Sequence, residues 1–265
     1  MKHIGHIAGR ELHSLFVSPV AYVVLTLWSV LAGFFFLSAI SSFKLEIMRM
    51  QQYGVFDQVR GMNLNDHVFV PFLGSMWIVL VFAIPGVSMG LLAAEKNNGT
   101  QELLLTTPLS IWEIVLGKYL AGACFALLMV AIVACFGGLL FVYGDPEVGK
   151  TAAGLLGLLF VSLAYMAVGV LASSLTSNYL IAFFVSFGTL LTLLLVPFIA
   201  EMVSAGQSPG ASRVLADGLR WLGTGGHFEQ IAKGWIDTAD LAYFAVFISA
   251  CLILAKTSVE SVRWR

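Results

Sequence analysis

Glu95-Lys96-Asn97-Asn98-Gly99-Thr100-Gln101-Glu102-Leu103-Leu104-Leu105-Thr106-Thr107-Pro108 is a polar, punctuated stretch between two apolar runs, each long enough to cross a bilayer. Lipid cannot satisfy the polar groups of such a segment, so it must face water on one side. Asn97, Asn98 and Gly99 break the helix that precedes it. Thr100 is placed to N-cap a new helix, and Gln101 and Glu102 add acceptors near an N-terminus, where negative charge is favoured. Leu103, Leu104 and Leu105 supply an apolar edge, and Thr106-Thr107-Pro108 stops the helix. Ser110 with Glu113 three residues on reads as a capping box for the next helix. That helix runs through Trp112 and Val115 to Gly117 and Lys118. A short helix with an apolar edge, held rigidly on a spanning helix, fits a cleft in a water-soluble partner. It would pass the partner's movement on as rigid-body motion.

The wider composition agrees with a bilayer setting. Of 265 residues, 59% are hydrophobic and only 11% charged, with mean hydropathy +0.91. Soluble domains carry about 25% charged residues. A soluble fold of this size would lack the polar surface to cover itself. The net charge of −1 gives no case for nucleic acid as a partner. Cys124, Cys135 and Cys251 lie in apolar runs without CxxC spacing, which argues against a disulfide framework or a metal site and for small apolar packing residues. The N-terminus shows no cleavable signal pattern, so the first apolar run is expected to remain as a span.

A spanning helix needs about 20 mostly apolar residues. Six runs are candidates: Val17–Phe43, Val68–Ala94, Tyr119–Gly144, Thr151–Leu175, Tyr179–Ala200 and Leu241–Ala255. Pro71 and Pro85 predict a kinked or tilted second span. The sixth reaches spanning length only with Lys256 snorkelling and Asp240 at the headgroups. Six spans put both termini on one side. Lys and Arg number seven on each side of such a topology, so the positive-inside rule is nearly silent; Lys256, Arg263 and Arg265 favour cytoplasmic termini.

The chain reads as one transmembrane domain, residues 1–265, with three distinctive pieces outside the spans. Residues 1–18 predict an interfacial helix. Ile4, Ile7, Ala8, Leu12, Leu15 and Phe16 fall on one side, Lys2, His3, His6, Arg10 and His13 on the other, and Ser18-Pro19 ends it. Glu11 intrudes on the apolar side. Three histidines on the polar face of a basic helix are expected to face water or headgroups rather than hold a metal. Residues 44–66 form an outer loop in which Leu45, Met48, Tyr53, Phe56 and Val59 are spaced like a partly buried helix. Residues 201–240 form a glycine-rich outer loop with Trp221 and Trp235, read as re-entrant or surface-lying helices.

Gly144-Asp145-Pro146-Glu147-Val148-Gly149-Lys150-Thr151 matches the P-loop spacing G-x-x-x-x-G-K-[ST]. The context argues against a nucleotide site. About 25 apolar residues flank it on each side, no nucleotide-binding domain surrounds it, and Asp145 and Glu147 would repel phosphate. The chain is therefore expected not to be an enzyme, with no catalytic residues and no cofactor or metal of its own.

At the opening stretch the sequence resembles the permease subunits of ABC-2 type transporters. The resemblance rests on Glu95, Lys96, Gly99, Thr100, Glu102, Leu103, Leu104, Pro108, Gly117 and Lys118. It looks most like the gliding-motility-associated branch. Phe16–Tyr22 resembles that branch's start of span one. Gly169–Asn178 resembles its turn between spans four and five. His227-Phe228-Glu229 with Gly234 and Asp237 resembles its segment before span six. The resemblance implies an all-α, six-span ABC-2 (type V exporter-like) fold with an interfacial helix, a cytoplasmic coupling helix in the 95–110 loop and re-entrant outer helices. It implies a half-transporter that pairs with a second copy or a homologous permease. Separate ABC ATPase subunits would hold the ATP and Mg, and an envelope-side accessory protein is a further expected partner. The expected location is the bacterial cytoplasmic (inner) membrane. Gly90, Ala94, Asn97 and Asn98 stand where the branch often has charged residues, which leaves Glu95 and Lys96 as the candidates for a charged cytoplasmic gate.

Spans one to five contain no Asp, Glu, Lys or Arg between the bounds given, which speaks against proton relays and cation channels. A path of apolar and small polar groups is expected instead, with Phe34, Phe35, Phe36, Phe183, Phe184, Phe187 and Thr189 as lining candidates. Gly154, Gly157, Gly169 and Ala172 are candidates for close approach at a dimer seam. The favoured reading is ATP-driven export of an amphipathic molecule or polymer. Two alternatives stand beside it: a secondary transporter working without an ATPase, and a non-transporting anchor of an envelope or gliding assembly.

Overall fold

The computed structural model describes residues 2–54, 62–100, 110–205 and 211–261. They form an all-helical molecule with six helices long and apolar enough to cross a membrane. Helix α1 (Lys2–Val17) is followed by α2 (Pro19–Gln52). Ser18 separates them: its side chain accepts from the Val20 amide, and Pro19 opens α2, where a missing N–H costs nothing. Helix α2 is longer than the predicted first span. It continues past the apolar run, so Leu45, Met48 and Tyr53 are exposed rather than partly buried. Once the helix projects beyond its neighbours, helical spacing alone cannot bury its apolar residues.

The second crossing begins with a π-helical turn (Asn65–Phe69), runs through α3 (Val70–Ser88), breaks at Met89 and resumes as α4 (Gly90–Asn97). Pro71 sits in the first turn of α3, where it disturbs nothing; Pro85 lies inside it, four residues before the break. The break exposes backbone groups, and Ser173 on a neighbouring helix takes them up. Its Oγ accepts from the Leu92 and Ala93 amides, each at 2.9 Å, and donates to the Met89 carbonyl at 2.9 Å.

Helix α5 (Ile111–Tyr143) starts at the predicted capping box, with Ser110 and Glu113 exchanging bonds. Trp28 of α2 donates its buried indole N–H to the Met129 carbonyl of α5 at 2.9 Å. The P-loop-like stretch turns from α5 into α6 (Val148–Leu175), which already contains Gly149, Lys150 and Thr151. Asn65 pins this turn. Its amide donates to the Glu147 carbonyl and Thr151 Oγ1, and its Oδ1 accepts from the Glu147 amide, all at 3.1 Å. Lys150 pairs with Asp66 and Glu147, so the stretch is committed to a structural bracket.

Helix α6 lies at the centre, touching α3, α4, α5 and the later helices α7 (Tyr179–Ala205), α9 (Thr224–Ala232) and α10 (Thr238–Ser261). Gly154, Gly157, Gly169 and Ala172, proposed above for a seam between copies, are occupied inside the protomer. A Cβ on Gly157 would meet Ile231 of α9 at 2.9 Å, and one on Gly169 would overlap Ser88 of α3. The 201–240 segment holds α8 (Ala211–Leu222) and α9, joined at Gly223. Helix α9 reaches in among α3, α6 and α7, where Thr224 meets the Tyr165 hydroxyl at 3.0 Å and Tyr165 accepts from the Trp77 indole at 2.8 Å. Helix α10 is longer than the predicted sixth run. Asp240 is buried against its own chain, 2.6 Å from His227 Nδ1. A carboxylate with a built-in partner can be carried inside, which lets the helix begin earlier. Lys256 pairs with Glu260 one turn on. Cys124 and Cys135 are exposed and Cys251 is buried; all three are free.

Candidate functional site

The elbow singled out in the sequence ends α4 on the face that carries both termini. Asn98 caps the helix and Gly99 follows at φ +67°, a left-handed conformation that favours glycine. The Thr100 amide donates back to the Glu95 carbonyl at 3.0 Å and the Gly99 amide to the Lys96 carbonyl at 3.4 Å. This 6→1 and 5→2 pair is a Schellman motif. The Thr100 amide thus closes α4. Lys96 donates to the Ser174 carbonyl at the end of α6, and Ser258 of α10 donates to the same carbonyl at 2.9 Å. On the far side of the elbow, the Ser110 capping box fixes the start of α5. Both shoulders are therefore fastened. Glu102, Leu103, Leu104 and Pro108 lie outside the described residues.

Gly117 and Lys118 belong to a second layer, beneath α1. A Cβ on Gly117 would stand 2.6 Å from Ile7 Cγ2, so only glycine lets α1 and α5 approach this closely. Ile4, Ile7, Leu12, Leu15 and Phe16 are partly buried on the side of α1 turned inward, while His3, His6, Arg10 and His13 are exposed. Glu11 is on the inward side, and its partner explains the intrusion. Lys118, 2% exposed, places its ammonium 3.3 Å from Glu11 Oε2 and 2.8 Å from Glu95 Oε1. Arg10 adds a second cation, 3.0 Å from Glu11 and 4.0 Å from Glu95. Two cations and two carboxylates balance. The group joins α1, α4 and α5 at one point, and Lys118 is the member that touches two other helices.

Sequence reasoning grouped Gly117 and Lys118 with the elbow surface, and the structure places both in the layer beneath it. Glu11, Ser173, Ser174 and Ser258 were missed. Only Glu11 gave a sign, as a charge on an apolar face; the serines act through backbone contacts that carry no spacing signal.

Within one protomer the path candidates fall in separate places. Phe36 is buried in the core, with Phe72 and Phe136 at 5.4 and 5.5 Å. Phe34 is exposed on α2 and meets Phe35 on the same helix. Phe183 and Phe187 stack along α7, and Phe187 packs on Phe82 at 4.4 Å. Phe184 and Thr189 are exposed, and the Thr189 hydroxyl is turned back to the Val185 carbonyl.

A family model described as "ABC-2 family transporter protein" matches residues 34–257. The chain is also similar to the "Probable multidrug ABC transporter permease YbhR" of Escherichia coli strain K12, being 30% identical over 142 residues, which cover 53% of this chain and 36% of that protein. The protein of the same description from Escherichia coli O157:H7 matches with the same figures. The matched segment spans about a third of the length of these relatives.

Proposed function

This chain belongs to the ABC-2 family of transporter proteins, and on that premise we propose that it is the membrane permease subunit of an ABC transporter, driven by ATP hydrolysed on separate subunits. The observation that carries the reading is the pair of shoulders flanking residues 101–109: α4 closes at Thr100, α5 opens at Ser110, and Glu95 and Lys118 tie the two helices together. Movement imposed on residues 101–109 would reach α4 through Glu95 and α5 through Lys118, because neither shoulder can yield alone. Glu102, Leu103 and Leu104 form the grip for the ATPase. The face carrying the termini is cytoplasmic, α1 lies along the inner leaflet of a bacterial inner membrane, and the helices of 201–240 are re-entrant from the outer side. A second permease copy completes the transporter, and an envelope-side protein docks outside.

Export of an amphipathic organic molecule is the direction and substrate class that fit best. The relatives named above are described as multidrug permeases, and the charge-poor spans suit such a cargo. The gliding-motility-associated branch is the subgroup suggested by Phe16–Tyr22, Gly169–Asn178 and the His227–Asp237 segment.

The test is co-purification. The wild-type chain should bring down an ATP-binding cassette ATPase in about equal amount. Glu102→Lys and Leu104→Asp should lose it while remaining in the membrane. Recovery of the ATPase at wild-type yield with both variants overturns the coupling role, and recovery of no ATPase with the wild type favours a carrier that works alone.

A further inference from the structure

His227 and Asp240 are buried together on the face opposite the termini, where α8, α9 and the start of α10 meet. Among the described residues Asp240 is the only buried carboxylate, and His227 supplies its one donor. Nδ1 lies 2.6 Å from Oδ1, while Oδ2 has no hydrogen-bond partner. The second ring nitrogen, Nε2, lies 3.0 Å from the carbonyl of Trp221 in the last turn of α8. Stacking on Tyr243 at 4.1 Å holds the ring in this orientation.

A carbonyl and a carboxylate both only accept, so each contact needs a hydrogen on the ring. A neutral imidazole carries one; an imidazolium carries two. Imidazole is the more basic of the two groups, so the extra proton rests on the ring rather than on the carboxyl. Imidazolium and aspartate then balance, which allows both to be buried. Loss of that proton leaves one hydrogen for two acceptors. The carboxylate keeps it, because the charge-assisted bond is the stronger and Asp240 has no other donor among the described residues. Nε2 then turns a bare lone pair on the Trp221 carbonyl. The surrounding titratable groups do not alter this order. Tyr165 of α6 engages Thr224, and Tyr243 of α10 donates to the Leu222 carbonyl. Glu201 of α7 and Asp237 share a cavity wall with His227; Asp217 lies 3.8 Å from Arg220 on α8, and Glu229 is paired with Lys233 on α9.

We propose that His227 and Asp240 form a proton-held latch: the imidazolium ties the last turn of α8 to the start of α10, and Trp221 is released when the proton leaves. The latch is closed at low pH and lost as the pH rises. His227 stands on the wall of a cavity of about 770 Å3, and the proton passes to water there. Asp217, Arg220 and Trp221 of α8 line the same cavity, so release of α8 changes the shape of that space. Only the side whose pH is sensed, the outer one, rests on the topology proposed above. The latch itself is tested on this chain without an ATPase, so either reading can fail without the other.

The experiment uses the full chain in bilayers of zwitterionic lipid. Nitrogen NMR of histidine-labelled protein follows its five imidazoles, and His227→Gln identifies the relevant signals. At about pH 8, where an ordinary histidine is neutral, both His227 nitrogens should carry hydrogen. A bare nitrogen at that pH overturns the proposal. A nitroxide on Gly218→Cys, an exposed position on α8 with open space around it, reports the helix once Cys124, Cys135 and Cys251 are alanine. Its spectrum should sharpen in step with loss of the second His227 proton, and His227→Gln should abolish that step. Asp240→Asn removes the charge that holds the imidazolium and should move the step down by roughly a pH unit or more; it serves where His227→Gln does not fold. The latch is refuted by a nitroxide that stays unchanged while the proton leaves. It is refuted equally by a proton held without any step up to about pH 10, where lysines begin to titrate, and by a step unmoved in every variant that folds.

Discussion

Lys118 Nζ lies 2.8 Å from Glu95 Oε1, joining the third crossing to the last turn of the second at a point almost closed to solvent. Removing one partner from a buried pair leaves the other charges uncompensated, at a cost of about 3–5 kcal/mol. Lys118→Met leaves Glu11 and Glu95 facing each other with Arg10 alone between them. It should lower stability by about 3 kcal/mol in equilibrium unfolding in mixed micelles. Lys118→Arg should recover most of the loss. Equal stability of Lys118→Met and wild type would show that the group contributes nothing.

The approach of α1 to α5 depends on a missing side chain. Gly117→Ala places a Cβ 2.6 Å from Ile7 Cγ2, inside contact distance. Overpacking of this kind costs about 1–3 kcal/mol. Limited proteolysis should then cut α1 faster. The double variant Gly117→Ala/Ile7→Ala should restore protection, because the second change removes the atoms that clash. If proteolysis of the single variant matches wild type, α1 is not held there.

These two contacts show what could be read in the chain beforehand. Ser18-Pro19, the Ser110–Glu113 box and Gly99 act within one or two turns, so residue types alone reveal them. The six spans follow from apolar length. Glu11 signalled a partner by being misplaced on α1, but Lys118 is 107 positions away (118 − 11). No local pattern names that partner. The early start of α10 was hidden for the same reason: Asp240 looks like a boundary until His227 is placed against it. The Thr100 amide's part in closing α4 was signalled only by Gly99 before it.

Ser173 bridges the break in the second crossing with three bonds to Met89, Leu92 and Ala93. Ser173→Ala keeps the packing nearly unchanged and strands those backbone groups. Leaving a buried donor or acceptor unmet costs about 1–3 kcal/mol each. Hydrogen exchange should accelerate at the Leu92 and Ala93 amides more than elsewhere in α4. A uniform change along the helix would argue against a local role.

Asn65 acts as both donor and acceptor, which few side chains can do. Asn65→Asp replaces the donating amide group with a second acceptor facing the Glu147 carbonyl and Thr151 Oγ1, while Oδ1 keeps the Glu147 amide. It should destabilise by about 2 kcal/mol, read as a lower melting temperature. Asn65→Gln, with the right groups on a longer stem, should lose less. The reverse order would mean that shape, not hydrogen bonding, sets the preference.

Helix α6 is enclosed by its own chain: 67% of its most apolar stretch is buried, against 22% in α2 and in α7. Three of its glycines, Gly154, Gly157 and Gly169, are filled by Leu73, Ile231 and Ser88 of the same protomer. An acyl chain or another copy arriving from the side meets α6 directly only at a few exposed positions such as Ala152, Leu156 and Leu175, and reaches the rest by displacing a neighbour. The axle of any rearrangement is thus largely private to one molecule, and traffic with the surroundings falls to the more open helices, α2 and α7 above all.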